Sequence, residues 1–357
     1  MKLLFVTTDL ASGGAQRVVS LLANHFAKSD EVFVLTVQGD KVKYELDDRV
    51  NYVPIVVKHT NKILRVYERI QQIRKAFNSI EPNVIVSFET ENNIYSLFCN
   101  AGNKRKIIVS ERNDPYNDPP SNVTKVIRNI IYNIADGFVF QTPDARSYFN
   151  KKIQHKGIII PNPVNEKFET EDLVVERNKV IVNVCRLSKQ KNLKLFLDIL
   201  LNVCNKFPDY SGIIYGEGPE KESLKEYAES IGLKDKVIFA GFCDDVKSAI
   251  YNSKLFLCTS DYEGISNSIL EAMMLGLPVV ATDCPIGGTR MAIKNGYNGL
   301  LFPTGDVKTG TDLVSEIILN PDFANKLGNN ARLIKNLWSI DRIVGDWRDY
   351  IEEIYSR

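Results

Sequence analysis

Histidine is nearly absent, with only His25, His59 and His155 in 357 residues, and the six cysteines at 99, 185, 204, 243, 258 and 284 form no Cys-x-x-Cys pair. That leaves neither zinc-site spacing nor a disulfide framework, and the thiols are expected to be reduced and mostly buried, as in a cytosolic protein. No apolar run approaches the roughly 18 residues of a membrane span. The opening MKLLFVTTDL meets Asp9 too soon to read as a signal peptide. Excess charge is missing as well. Lys and Arg number 45 against 44 Asp and Glu, a net of +1, which argues against a nucleic-acid binder. Repeats and low-complexity tracts are also lacking.

What is present is alternation. Short apolar runs at 3–7, 32–37, 84–88, 106–110, 138–141 and 157–160 read as buried strands, and the stretches 15–28, 63–77 and 123–134 between them have helical spacing. The segment Pro161-Asn162-Pro163-Val164 interrupts the pattern with extended backbone. A second series follows, with strands at 180–184, 212–215, 237–240, 255–259, 278–281 and 300–302 and helices at 193–207, 220–231, 267–275 and 322–336. The length exceeds what one core usually organises. The expected architecture is α/β with two Rossmann-like, doubly wound parallel-sheet domains, 1–162 and 163–338, and a cleft between their strand C-terminal edges, where ligands sit in such folds. A helix at 339–357, carrying Trp347 and Tyr350, is expected to pack back on the first domain.

Several strand ends carry residues suited to anionic ligands. The first strand runs into Asp9-Leu10-Ala11-Ser12-Gly13-Gly14-Ala15-Gln16-Arg17. Gly13 and Gly14 suit either a ligand loop at a helix N-terminus or a plain tight turn. The spacing is neither Gly-x-Gly-x-x-Gly nor a P-loop. In the second half, Arg186 stands just after a strand and Lys191 at the start of the next helix. Two such cations suit a diphosphate, and solvated loop charges fit the pattern too. Gly216 and Gly218 suit a nucleotide lying close to backbone, or an ordinary strand-to-helix turn.

The most informative stretch is Glu263-Gly264-Ile265-Ser266-Asn267-Ser268-Ile269-Leu270-Glu271. Ser266 or Asn267 is expected to cap the following helix. One carboxylate can then hold sugar hydroxyls and the other ribose hydroxyls, with helix N–H groups near Gly264, Ile265 and Ser266 between them for phosphate. Dipole stabilisation alone accounts for Glu263 but not for Glu271. A buried, unpartnered glutamate is costly, and that favours a ligand role for Glu271.

Together these motifs resemble glycosyltransferase family 4, retaining enzymes of the GT-B fold, and in particular the transferases of bacterial surface polysaccharide. The resemblance rests on Glu263 and Glu271 in the Glu-x7-Glu spacing, on Arg186 and Lys191, on Gly13-Gly14-Ala15-Gln16-Arg17 and on the Pro161–Val164 hinge. It implies that the second domain holds a nucleotide-sugar donor, most readily UDP-linked, and the first a lipid-linked or glycan acceptor. Glu271 would bind ribose and Glu263 the transferred sugar, while Arg186 and Lys191 stabilise the leaving diphosphate. No cofactor and no metal are expected; Asp244 and Asp245 are adjacent and do not form Asp-x-Asp. Anomeric configuration would be retained by front-face attack. One departure is Arg112 in Ser110-Glu111-Arg112-Asn113-Asp114, where many members carry a donor-contacting histidine. Arg112 is a candidate for contact with the donor sugar or diphosphate, or for pairing with a carboxylate. The loop 284–290, with Gly287 and Gly288, is expected to border the donor.

Two readings compete: a sugar-nucleotide 2-epimerase of the same architecture, which needs acid/base side chains not seen here, and a non-catalytic sugar-nucleotide binder. Location at the inner face of the cytoplasmic membrane is the matching expectation. Up to Asn165 there are 22 basic and 16 acidic residues, and beyond it 23 and 28. The basic first half suits an anionic surface. The stretches 62–70 and 123–134 are the candidates for that contact; the same pattern fits plain amphipathic helices packed on the sheet.

Overall fold

The computed structural model describes residues 1–11, 13–170 and 176–357. The chain forms two compact units, 1–163 with 340–357, and 164–339.

In the first unit the strands are β1 (Lys2–Thr7), β2 (Glu31–Thr36), β3 (Val50–Pro54), β4 (Val84–Phe88), β5 (Lys106–Glu111), β6 (Gly137–Phe140) and β7 (Gly157–Ile159). They lie in the order β3-β2-β1-β4-β5-β6-β7, and every pair is parallel. Central strands such as β4 are buried on both faces, which is why they are legible as continuous apolar runs. Strand β3 escapes that signature. Among the described residues it pairs only with β2, is exposed or half-exposed after Val50 and ends in proline, as an edge strand does.

The helix Ile340–Ser356 belongs to this first unit. Trp347 is fully buried, with its ring centroid 5.7 Å from that of Phe88. The Phe138 amide donates to the Tyr350 hydroxyl at 2.8 Å, and a Cβ at Gly137 would lie 2.6 Å from that oxygen, so the close approach needs glycine there. Arg348 adds an ion pair to the buried Asp30 carboxylate at 2.9 Å.

The strands of the second unit are β8 (Asn178–Val184), β9 (Ser211–Tyr215), β10 (Val237–Gly241), β11 (Ser253–Cys258), β12 (Val279–Thr282) and β13 (Leu300–Phe302), ordered β10-β9-β8-β11-β12-β13 and again all parallel. Phe196, Leu200, Ile214, Leu257 and Phe302 are among the residues of its core. In each unit the strand order reverses once, between β1 and β4 and between β8 and β11. The crevice outside the strand C-termini at such a reversal is where doubly wound sheets hold ligands.

Candidate functional site

In the second unit the two sides of the β8/β11 reversal are tied together loop to loop. After β8, residues 189–191 form a single 3-10 turn. Asn192, in a left-handed conformation, then starts the helix Leu193–Lys206 and accepts from the Leu195 amide with its own side chain. The other half of that side chain donates to Asp261 at 2.7 Å. The Asp261 amide donates to the Gln190 carbonyl at 2.9 Å, and the Thr259 hydroxyl to the Lys191 carbonyl at 3.1 Å. These bonds bring the Lys191 ammonium to Glu263 Oε2 at 2.5 Å, with both side chains largely buried. Burial opposes the lysine's charge, yet the neighbouring Glu263 carboxylate prevails and holds Lys191 well above the usual lysine range. Lys191 is therefore charged at any working pH.

Glu263 is fixed from behind as well. Its amide donates to the Pro285 carbonyl at 2.7 Å. A Cβ at Gly288 would lie 1.8 Å from the Gly264 carbonyl oxygen, so only glycine lets the 284–290 loop lie this close to Gly264 and Ile265. The helix Asn267–Met274 follows, with Ser266 in the N-cap position. Its hydroxyl faces that of Ser268 at 3.1 Å and makes no capping hydrogen bond. A helix N-terminus without a side-chain cap suits an anion from a ligand. Glu271 lies on this helix and is buried, as are Ile265 and Ser266. Arg186 is exposed on the loop leaving β8.

Gly216 and Gly218 have a packing task. A Cβ at Gly216 would lie 1.9 Å from the Cys185 carbonyl oxygen, and one at Gly218 would lie 2.2 Å from that of Leu187. The two glycines make room for the backbone that carries Arg186, with Leu187 donating to the Glu217 carbonyl at 3.0 Å. Asp245 caps the helix Val246–Ile250 through the Ser248 amide. Among the described residues, no three His, Cys, Asp or Glu side chains converge as metal ligands. All six cysteines are free, and burial pushes the Cys185 and Cys284 thiols up to about 12, which leaves them unreactive.

The first unit presents a second polar group, at the β1/β4 reversal. Gly13 has φ +115° and precedes the helix Gly14–Phe26, and a Cβ there would lie 2.3 Å from Gln16 Oε1. Ser12 of this loop lies outside the described residues. Gln16 donates to both oxygens of Glu89 at 3.1 Å, Thr8 donates to Glu89 Oε2 at 2.7 Å, and Asn92 donates to the same oxygen at 3.3 Å. Burial raises the Glu89 carboxyl above the usual range, against the hydrogen bonds of Thr8 and Gln16.

Glu89 was not among the residues singled out from sequence. It follows β4 directly and has φ 73°, a conformation that residues with a side chain rarely adopt. Beside it, the Arg112 guanidinium lies over the Phe88 ring, 5.0 Å from its centroid, and its three nitrogens are shielded from solvent with no hydrogen-bond partner among the described residues. Burial lowers it to about 9 although Glu89 acts in the opposite sense. The structure thus places Arg112 with Glu89 and the Gly13 loop, and pairs Lys191 with Glu263 in the other unit, where Arg186 and Glu271 also lie. An unsatisfied, buried guanidinium is expensive, and a ligand anion or hydroxyl is the natural acceptor for it.

Next to Arg112, Glu111 is wholly buried and accepts from the Tyr132 hydroxyl and from Thr90. Burial pushes its carboxyl up to about 7, against Arg128 and the Tyr132 hydrogen bond. An acid raised in this way contributes stability that is complete below its unfolded value and is lost as pH rises through its folded value. The protein is therefore expected to lose a few kcal/mol between about pH 5 and pH 8. Glu111→Gln should flatten that dependence in urea melts, and an unchanged slope would refute the assignment.

Residues 164–334 match the family model for Glycosyl transferases group 1, and residues 12–168 match that for Glycosyltransferase Family 4. The chain is 24% identical over 363 residues to the GalNAc-alpha-(1->4)-GalNAc-alpha-(1->3)-diNAcBac-PP-undecaprenol alpha-1,4-N-acetyl-D-galactosaminyltransferase of Campylobacter jejuni, with 99% of both chains covered. It is also 24% identical over 348 residues to an uncharacterized glycosyltransferase of Haemophilus influenzae, covering 96% and 98%. Among solved structures, Anabaena Alr3699/HepE in complex with UDP and glucose superposes with a TM-score of 0.87 at 18% identity, covering 99% of this chain and 100% of the other. Staphylococcus aureus TarM, in a complex that includes UDP, gives 0.82 at 14% identity over 98% and 100%. These likenesses extend over nearly the whole chain, and the fold is GT-B, two parallel-sheet α/β domains, as the sequence had indicated.

Proposed function

We propose, from the premise that this chain belongs to glycosyltransferase family 4, that it moves a sugar from a UDP-sugar to a lipid-linked or glycan acceptor in surface-polysaccharide synthesis, with retention of anomeric configuration. The observation that carries the reading is the Lys191–Glu263 contact at 2.5 Å, set across the β8/β11 reversal with Glu271 on the helix that follows. Glu271 would hold the ribose hydroxyls. Glu263 would hold the transferred sugar, and the helix end at 264–266 would hold phosphate. As the bond between the sugar carbon and the diphosphate oxygen breaks, the electron pair goes to the diphosphate. Arg186 and Lys191 supply fixed positive charge there, so no metal is needed for that task. The acceptor hydroxyl then bonds to the sugar carbon from the same face, and its proton goes to the departing diphosphate oxygen.

UDP is favoured because the complexes of Alr3699/HepE and TarM contain it, and a lipid-linked acceptor because the Campylobacter relative is named for an undecaprenol-diphosphate glycan. On the first unit, Glu89 and Arg112 would face the acceptor side of the reaction, one accepting from a hydroxyl and the other donating.

Thermal-shift measurements against UDP-, GDP- and ADP-sugars test the donor assignment, since a ligand of the native state raises its melting temperature with affinity and concentration. UDP-sugars are expected to give the largest shift, and Glu271→Ala to weaken that binding about tenfold through the loss of charge-assisted hydrogen bonds. Equal shifts with all three nucleotides, or an unaltered UDP-sugar shift in the variant, would remove the proposed donor site.

A further inference from the structure

Two tyrosines form a fixed aromatic ledge on the first unit. Tyr116 lies in the loop that leaves β5 and carries Arg112, and Tyr148 follows the short helix Pro143–Ser147 that leaves β6. Both segments start from strand C-terminal ends, the side on which doubly wound sheets hold ligands. The two rings meet edge to face, with centroids 4.6 Å apart and planes at 85°. The helix Asn122–Ile131 is inverted to back them. Its one buried residue is Arg128, while its apolar Val123 and Ile130 are exposed on the far side. The Arg128 guanidinium lies over the Tyr148 ring, 4.9 Å from its centroid, and donates to the Pro115 and Asp118 carbonyls at 3.0 and 2.7 Å.

Those two carbonyls flank Tyr116, and its own backbone is held as well. Its amide donates to the buried Asp114 carboxylate at 2.8 Å, and the Lys125 ammonium donates to its carbonyl at 2.6 Å. The ring nevertheless stays 56% exposed. An apolar surface fixed in advance loses little freedom when a ligand covers it. Polar groups stand beside it. Asn113 donates to the half-buried Asp118 carboxyl at 3.3 Å, which burial raises above its ordinary range. Burial acts most on Glu89 and Glu111, and the Asp118 charge raises both further. Asp118 is therefore within electrostatic reach of the Glu89 group at the β1/β4 reversal.

We infer that Tyr116 is the floor of a subsite for a sugar ring of the acceptor. The C–H face of a pyranose would lie on the open aromatic ring, and a hydroxyl at its rim would donate to Asp118. A pyranose offers an apolar face edged by hydroxyls, and a fixed tyrosine beside a carboxyl complements both. The inference rests on the transferase reading above and narrows its acceptor to one that already carries a sugar. The other occupant for an exposed ring is a lipid surface. No helix among the described residues is long and apolar enough to cross a membrane. A carboxyl beside the ring repels anionic headgroups but accepts from sugar hydroxyls, which favours the sugar.

Saturation-transfer NMR of the full chain with the methyl glycosides of N-acetylgalactosamine, N-acetylglucosamine and glucose, in the absence of donor, tests it. Transfer to the ring protons of one pyranose face is expected for at least one of these probes. Y116A should bind that probe about tenfold more weakly through the loss of stacking area, with thermal melting unchanged. Y116F should bind as the wild type does, because the ring and not its hydroxyl carries the contact. Absence of transfer to all of the probes, wild-type affinity in Y116A, or an equal loss in Y116F and Y116A would overturn the inference. So would a Y116A variant that keeps the glycoside and loses co-sedimentation with phosphatidylglycerol vesicles. The UDP-sugar shift of the wild type is read separately. Its absence would sink the donor reading, whereas the glycoside signals, taken without donor, decide the Tyr116 subsite.

Discussion

Replacing Lys191 by alanine is expected to lower turnover by about 10²–10³-fold, the usual cost of removing one preorganised charge from a transition state. The lysine is held in place before any ligand arrives, by Glu263 at 2.5 Å and by the bonds that pin the 189–192 and 259–263 loops to each other. Its charge is assured by Glu263 despite burial. Removing it does two things that must be separated. The proposed diphosphate loses a cation, and Glu263 is left buried without its partner, which for buried pairs typically costs about 3–5 kcal/mol of stability. K191A/E263Q removes the stranded charge, so stability should largely return while activity stays low. Recovery of turnover along with stability in the double variant would show Lys191 to be a structural strut and not part of the proposed donor site.

What could be read from sequence was local. Lys191, Glu263 and Glu271 lie within a few residues of strand ends and helix starts that are themselves apolar runs, so their positions at a sheet edge follow from the pattern. Strand β4 and the core strands β8 and β11 were legible for the same reason. The helix Thr90–Asn100 was not. Beside Leu97 and Cys99 its inward side carries Asn92, Asn93 and Ser96, which bond to Phe88, Ser110, Tyr132 and Ser87. A polar face satisfied by distant partners leaves no 3.6-residue apolar period to detect. Glu89 was hidden in the same way, since its hydrogen bonds come from Thr8 and Gln16, 81 and 73 residues earlier. Gly216 and Gly218 are a different case, since glycines at a strand end suit a ligand or a tight turn alike, and what the structure adds is their close approach to the loop 185–187.

The inverted helix at 122–131 has a related lesson. From sequence, an apolar face with basic residues fits core packing as well as it fits a lipid interface. Arg128, through its buried hydrogen bonds to the 115–118 backbone, decides which side of the helix turns inward. Nothing in the periodicity of 123–134 marks an arginine as the inward residue.

Glu89→Gln is expected to raise the KM for acceptor and lower kcat/KM by one to two orders of magnitude while the KM for donor stays near its wild-type value. The two reversals of strand order each hold a carboxylate gripped from the opposite side, Glu263 by Lys191 in one unit and Glu89 by Thr8 and Gln16 in the other. Among the described residues Glu89 Oε2 accepts from Thr8, Gln16 and Asn92, Oε1 shares the Gln16 amide, and the Thr8 backbone adds a further hydrogen bond, so a ligand hydroxyl would approach on the Oε1 side. A hydrogen bond to a charged acceptor is worth about 1.5–3 kcal/mol, which sets the size of the expected loss. Backbone strain at φ 73° persists only where the surroundings enforce it, and here the Glu89 amide is drawn to the Ser110 carbonyl at 3.2 Å beside Arg112. Glutamine keeps the volume and the strain but turns one acceptor oxygen into a donor NH2 among the donors Thr8, Gln16 and Asn92, so melting temperature is read alongside the kinetics. A merely structural Glu89 would change melting temperature and leave both KM values alone. A rise in donor KM with acceptor KM unchanged would instead move the Glu89–Arg112 group to the donor.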